Sequence, residues 1–294
     1  MLPRPNVATS GPLVLSNAEP VSAVTVIEAS RGWVPLRLGE LWEYREVLYF
    51  LVWRDLKARY RQTLLGVAWA IIQPLFTMVL FTVIFGKLAK IPSDGLPYAV
   101  FSLAALVPWN FFSTALTQSA NSLVNNSHIL RKVYFPRLFL PLGRVLGCVP
   151  DLGLAFTLLL VIAWYYGLHP GVAALCWVPL FALLALVMAL AVGLWLSALN
   201  VRFRDIQHLV PFLIQFWLFA TPIVYPSSLV PARWRLLYAL NPMVAVVDGF
   251  RWAFLGKGDA PGTMLVASAL TALVVLGAGA AFFRRVEKTF ADVV

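Results

Sequence analysis

A chain of 294 residues that is 61% hydrophobic and only 12% charged lies outside the composition of soluble globular domains and reads as one polytopic membrane domain. Its net charge of +10 does not mark a nucleic-acid binder, because Lys and Arg flank the hydrophobic runs and form no single stripe; lipid headgroups and topology account for them. Two cysteines, Cys148 and Cys176, both within apolar runs, exclude a disulfide framework and read as buried thiols.

Residues 1–37 read as a mobile cytoplasmic tail and 38–294 as the membrane domain. The first 29 residues hold four Pro among scattered Ser, Thr and Asn, and no compact apolar core after a basic start marks a cleavable signal. Between 40 and 61, Leu41, Tyr44, Leu48, Val52, Leu56 and Tyr60 recur every three or four residues, the spacing of one helical face. Arg45, Arg54, Lys57, Arg59 and Arg61 lie on or beside the other face, and the helix also carries Trp42 and Trp53. This predicts an interfacial amphipathic helix, its rings in the headgroup region and its guanidiniums reaching lipid phosphates.

Residues 64–86 carry no charge and, at 1.5 Å per residue, reach roughly 34 Å, enough to span a hydrocarbon core. Further spans are expected at 98–116, 138–167, 172–199, 209–225 and 263–283, which makes six. A polar, helix-length segment at 117–137 follows the second span. Counting Lys and Arg with the amino terminus inside places 16 on the cytoplasmic side and 6 outside, so both termini are expected in the cytoplasm. Between the fifth and sixth spans, Asn241-Pro242 supplies a cap and a first-turn Pro for a helix over 242–255, about 21 Å long and too short to span. Paired with the short stretch 231–240 it suggests a re-entrant hairpin; an interfacial loop lying flat is the alternative. The expected fold is therefore all-α: six transmembrane helices, an N-terminal interfacial helix and a re-entrant helical hairpin between spans five and six.

No catalytic constellation emerges. His128, His169 and His208 fall on separate loops or loop edges, a spacing that supports no metal site. Gly249 and Gly256 are seven apart, and Gly258 follows Lys257 where a phosphate loop requires Ser or Thr, so no nucleotide site is visible. Arg144 and Asp151 are ionisable residues within a span. Seven apart, they lie about 10 Å from each other along a helix, so each is expected to find its partner elsewhere, on another helix or at a subunit contact, or to serve substrate passage.

Several ordered motifs carry a family resemblance. Trp53-Arg54-Asp55-Leu56-Lys57, Arg59-Tyr60-Arg61, Leu65-Gly66, Trp69 and Pro74-Leu75 form the first. Ile129-Leu130-Arg131-Lys132-Val133-Tyr134-Phe135-Pro136-Arg137 forms the second. Arg204-Asp205-Ile206, Thr221-Pro222-Ile223-Val224-Tyr225-Pro226, Leu240-Asn241-Pro242 and Arg251 follow. Together they make residues 41–288 resemble the ABC-2 type transporter permeases that export polysaccharides such as O-antigen, capsule or teichoic acid.

The resemblance implies a homodimeric permease of the cytoplasmic (inner) membrane working with two copies of a separate ATPase subunit. It places ATP and magnesium on that partner and no cofactor in this chain. The cargo it implies is a polysaccharide on an undecaprenyl-diphosphate-type lipid carrier. An exporter of drugs or small lipids is the rival within the family, and Trp69 and Tyr225-Pro226 favour polysaccharide. A polyprenyl-lipid transferase would need acidic pairs that the scattered Asp55, Asp205 and Asp248 do not form.

The polar segment after the second span, with Asn126, His128 and Arg131, is the expected contact with the ATPase. The conduit is expected between the first and fifth spans of two copies. Trp69, Gln73 and Phe76, four and three apart, present ring, amide and ring on one face; Gln215, Phe216, Phe219 and Tyr225 would come from the other span. An amide facing lipid would leave its hydrogen bonds unmade at a cost of several kcal/mol, roughly, so Gln73 and Gln215 are expected to face protein or water. Ordinary packing within the bundle is the alternative for the rings.

Overall fold

The computed structural model describes residues 38–61, 68–130, 132, 135–256 and 262–287, and the described residues contain helices and no strand. The tail 1–37 and the start of the first span therefore lie outside the described residues. The order begins with α1 (Leu38–Glu43) and α2 (Arg45–Arg61), separated by a turn at Tyr44, then α3 (Trp69–Phe81), prolonged by a π-helical stretch Thr82–Leu88. There follow α4 (Tyr98–Ala120), the single turns α5 (Ser122–Asn125) and α6 (Ser127–Leu130), α7 (Phe139–Leu146), α8 (Val149–Tyr165), α9 (Val172–Arg202) and α10 (Ile206–Phe219). Two 3-10 turns, Ser227–Leu229 and Ala232–Trp234, lead into α11 (Arg235–Ala239), α12 (Pro242–Leu255) and α13 (Thr263–Glu287).

Among the described residues five helices or joined helices are long and apolar enough to cross a membrane: Trp69–Leu88, Tyr98–Ala120, Phe139–Tyr165, Leu175–Arg202 and Thr263–Glu287. The fifth expected span, 209–225, takes a different form. Its helix, α10, has 14 residues, about 21 Å of rise, and starts three residues earlier. The helix stops because Pro222 has no N–H to continue the ladder and disfavours the helical conformation at Thr221. The third span is also not one helix. It breaks at Gly147–Cys148, where Pro150 in the first turn of α8 cannot donate to the Leu146 carbonyl.

The polar, helix-length segment 117–137 is likewise not one helix among the described residues. Its first residues belong to α4, and only the isolated turns α5 and α6 follow among the described residues. By contrast, α12 matches its expected bounds. Asn241 Oδ1 accepts from the Met243 N–H at 3.1 Å, and Gly256 ends the helix in the left-handed conformation at φ +60°. Cys148 is buried, as its apolar run suggests, whereas Cys176 is exposed on α9.

The centre of the bundle is α4. Val100, Leu103, Ala104, Ala105, Val107, Phe112, Ala115 and Leu116 are fully enclosed, and α3, α7, α8, α9, α10 and α12 all pack on it. A helix apolar on all sides is stable only when surrounded in this way. The longest helix, α9, runs against α4, α12 and α13. Helices in a bilayer gain little from hydrophobic association and rely on close packing, which small residues permit. Gly279 of α13 illustrates this: a Cβ there would sit 2.8 Å from the Ala191 carbonyl oxygen and 2.8 Å from the Trp195 ring. Gly277, two residues away on the same helix, has nothing within 4 Å.

This pair gives an internal control. Gly279→Ala should destabilise the purified protein by about 1–3 kcal/mol, through overpacking. Gly277→Ala should be neutral or gain up to about 1 kcal/mol in helix propensity. Thermal midpoints of the two variants in the same detergent check the difference.

Candidate functional site

Three arrangements define the functional geometry: an ionic staple at one end of the bundle, an arginine clamp under α12, and two rows of rings and amides left on the surface.

The staple fastens α2 across the break in the third span. Asp55 of α2 accepts from Arg54 at 3.0 and 3.1 Å and pairs with Arg144 Nε of α7 at 3.2 Å. Asp151, at the start of α8, accepts from both Arg59 and Tyr60 of α2. Arg59 also donates to Gln118 Oε1 of α4 at 2.8 Å and to the Gly147 carbonyl at 3.3 Å. Arg144 and Asp151 thus do not meet each other; each finds its partner on α2. Burial and the hydrogen bond to Asp151 push the Tyr60 phenol up to about 12, so it remains a donor throughout the physiological range.

The staple revises the reading of the interfacial arginines. Arg54 and Arg59 turn inward to protein acceptors and are not aimed at lipid phosphates. The side chain of Arg61 lies outside the described residues. The aromatic edge of the same helix agrees with an interfacial position: Tyr49, Phe50 and Trp53 are all exposed, as is Trp42 on α1. Periodicity alone missed that this helix has two faces to satisfy, with Leu51 buried against α7 and the rings on the far side.

The clamp involves Arg251, 5% exposed within α12. Its guanidinium donates to the carbonyls of Pro222, Ile223 (2.9 Å) and Tyr225 (3.4 Å), and lies 3.6 Å from the centroid of the Phe101 ring. Tyr98 of α4 donates to the Val224 carbonyl at 2.7 Å. Asn241 binds the same loop, with Nδ2 on Thr221 Oγ1 at 3.0 Å and Oδ1 accepting from Trp217 Nε1 at 2.9 Å. Residues 221–226 leave the helix, and the fork of Arg251 satisfies three of the carbonyls this frees while Tyr98 takes a fourth. The two motifs, separate in the chain, are one physical unit. Tyr225, expected among the channel residues, belongs to it, its hydroxyl within 2.9 Å of that of Tyr238.

The other residues expected to line a conduit stay on the surface of the protomer. On α3, Trp69 and Phe76 are 54% and 64% exposed and Gln73 is exposed with them. On α10, Phe216 and Phe219 are 68% and 58% exposed, joined by Gln215 and Phe212. Both helices pack on α4, and neither row is used up within the protomer. Of the residues expected to contact the ATPase, His128 and the neighbouring Asn125 are exposed. Asn126 is 3% exposed, donating to the Ser122 carbonyl at 2.8 Å and accepting from Arg54 at 3.1 Å. Its place is inside the staple, and Arg131 lies outside the described residues.

Residues 46–255 match the ABC-2 type transporter family, which spans more than two thirds of the chain. The chain belongs to that family. It is 34% identical over 256 residues to an O-antigen export system permease protein of Myxococcus xanthus, covering 86% of this chain and 97% of the relative. An O-antigen export system permease protein of Klebsiella pneumoniae is 26% identical over 84% of this chain and 95% of its own length. A polysialic acid transport protein of Escherichia coli is 24% identical over 80% and 91%.

The clamp can be tested by size-matched replacement. Arg251→Met leaves several buried carbonyls without a donor and should cost about 3 kcal/mol or more. Arg251→Lys keeps the charge but loses the fork and should fall between Met and wild type. Thermal unfolding in detergent should rank the three proteins in that order.

Proposed function

We propose that two copies of this chain form the membrane conduit of an ATP-driven exporter that carries a lipid-linked polysaccharide, O-antigen foremost, out across the cytoplasmic membrane. ATP is bound and hydrolysed by a separate pair of subunits. Relatives named for O-antigen export and polysialic acid transport support the cargo class. The observation that carries the mechanism is the pair of exposed rows on α3 and α10, in which rings alternate with amides. An amide in lipid is expensive, so Gln73 and Gln215 are better placed against water or a second copy. Joined across a two-fold axis, the rows enclose a path that offers stacking faces and hydrogen bonds without fixed charge. Weak, repeated contacts suit a sliding polymer, since one tight site would arrest it.

In this reading α10 and the loop 220–226 together make the fifth of six crossings, with the Arg251 clamp satisfying the carbonyls that the helix gives up. α11 and α12 re-enter from the outer side, and both termini lie in the cytoplasm. α2 rests at the inner interface on its exposed rings. The exposed edge at Asn125 and His128, next to the staple, receives the ATPase. Movement there would reach α7 and α8 through the Asp55–Arg144 and Arg59–Asp151 pairs.

Replacing Phe216 and Phe219 together by Ala should reduce surface polysaccharide at least several-fold while the amount of chain in the membrane stays the same. Normal surface polysaccharide from a stably expressed double variant would remove the aromatic rows from the path.

A further inference from the structure

Behind the exposed row of α3 the protomer contains a cavity of about 210 Å³, walled by α2, α3, α4 and α8. One buried water needs only about 10–15 Å³, so the space admits a cluster of waters or a small polar group. Its lining is unusual for membrane depth. Gln73 of α3 and Asn110 and Thr114 of α4 converge on it, Trp69 forms one side, and the Arg59–Asp151 pair closes one end. The Asn110 Nδ2 is buried and has no hydrogen-bond partner. The other amides close by are engaged: Gln118 receives Arg59, and Asn126 receives Arg54. An amide donor left unpaired in this setting calls for an acceptor that the protein does not provide.

We propose that this cavity is a subsite for one uncharged, hydroxyl-rich sugar ring, stacked on Trp69 and hydrogen-bonded by Gln73 and Asn110. The inference rests on the polysaccharide-export reading and assigns a place to the sugar inside the protomer, apart from the ring row of α10. The charge balance selects the ligand class. Arg59 and Asp151 neutralise each other, and a phosphate entering the site would meet the Asp151 carboxylate. An apolar ligand would leave the Asn110 donor unpaired. Hydroxyls both donate and accept, and a sugar's CH face matches the ring of Trp69, half of which is open.

The test uses the full-length chain in lipid nanodiscs, labelled with 5-fluorotryptophan, with the Trp69 signal assigned from Trp69→Phe. The probe is a set of short, lipid-free oligosaccharides cut from the surface glycan of the cells that carry this chain. The Trp69 fluorine signal should shift saturably, and Asn110→Leu should weaken binding at least ten-fold. That substitution removes an unpaired donor, so a purely structural amide predicts an unchanged or higher thermal midpoint and an unchanged titration. Thr114→Val serves as the second variant and should weaken binding in the same direction. A Trp69 signal that stays fixed throughout the titration would show a cavity that holds water alone and overturn the subsite. Equal affinity in the wild type and both variants would do the same. Loss of export in the Phe216 and Phe219 double variant alongside a silent Trp69 would remove the subsite and leave the conduit. A shifting Trp69 with normal export from that variant would keep the subsite and remove the α10 row.

Discussion

Hydrocarbon offers no partner to a polar group, and this constraint determines where the helices of this bundle sit. At two places in the bundle, polar groups that would otherwise go unpaired are matched to a distant segment that needs them. The carbonyls of Pro222, Ile223 and Tyr225, released where α10 ends, are taken by Arg251. The carboxylates of Asp55 and Asp151 are taken by arginines and a tyrosine reaching across from other helices or from α2 itself. Because the matches are long-range, they fix the register of α12 against α4 and of α2 against the α7–α8 break. Breaking one of them would leave a buried charge or carbonyl behind, which is why such contacts are stiff.

The two fastenings also divide the molecule mechanically. The staple joins a helix with an exposed aromatic edge to the point where the third span is already broken. A displacement of α2 would therefore reach α7 and α8 through these pairs, on either side of the break. The clamp makes the opposite end rigid: Tyr98, Asn241 and Arg251 together hold one six-residue loop. Between them α4 and α9 form the fixed frame, with Asn200 of α9 bonded to the Ala120 carbonyl and to Asn121 at 3.0 Å each.

Much of this was legible in the sequence where a local rule decides the outcome. Asn241-Pro242 and Gly256 bound α12, and uninterrupted apolar runs marked α4, α9 and α13. The periodicity of Leu48, Val52, Leu56 and Tyr60 located α2. What was not legible depends on contacts between distant segments. Nothing local in the chain tells Arg54 and Arg59 to face Asn126 and Asp151 and not a lipid phosphate, since both surroundings satisfy a guanidinium. Asn126 looked like a free polar residue because its partners lie 72 residues away and one helical turn back. The early end of α10 could be read from Pro222 only once the carbonyls it releases were seen to have a partner in Arg251.

In the proposed assembly the rows on α3 and α10 face a shared aqueous path and not lipid. This can be tested most directly by thiol accessibility in a background with Cys148 and Cys176 replaced by Ala. Gln73→Cys and Gln215→Cys would be compared with Leu270→Cys and Val274→Cys on the exposed apolar face of α13. With the transporter turning over in cells, a water-soluble, membrane-impermeant thiol reagent should label the two α3 and α10 positions and spare the two on α13. If Gln73→Cys and Gln215→Cys are as unreactive as Val274→Cys, the rows lie in lipid or in packed protein and the conduit is elsewhere.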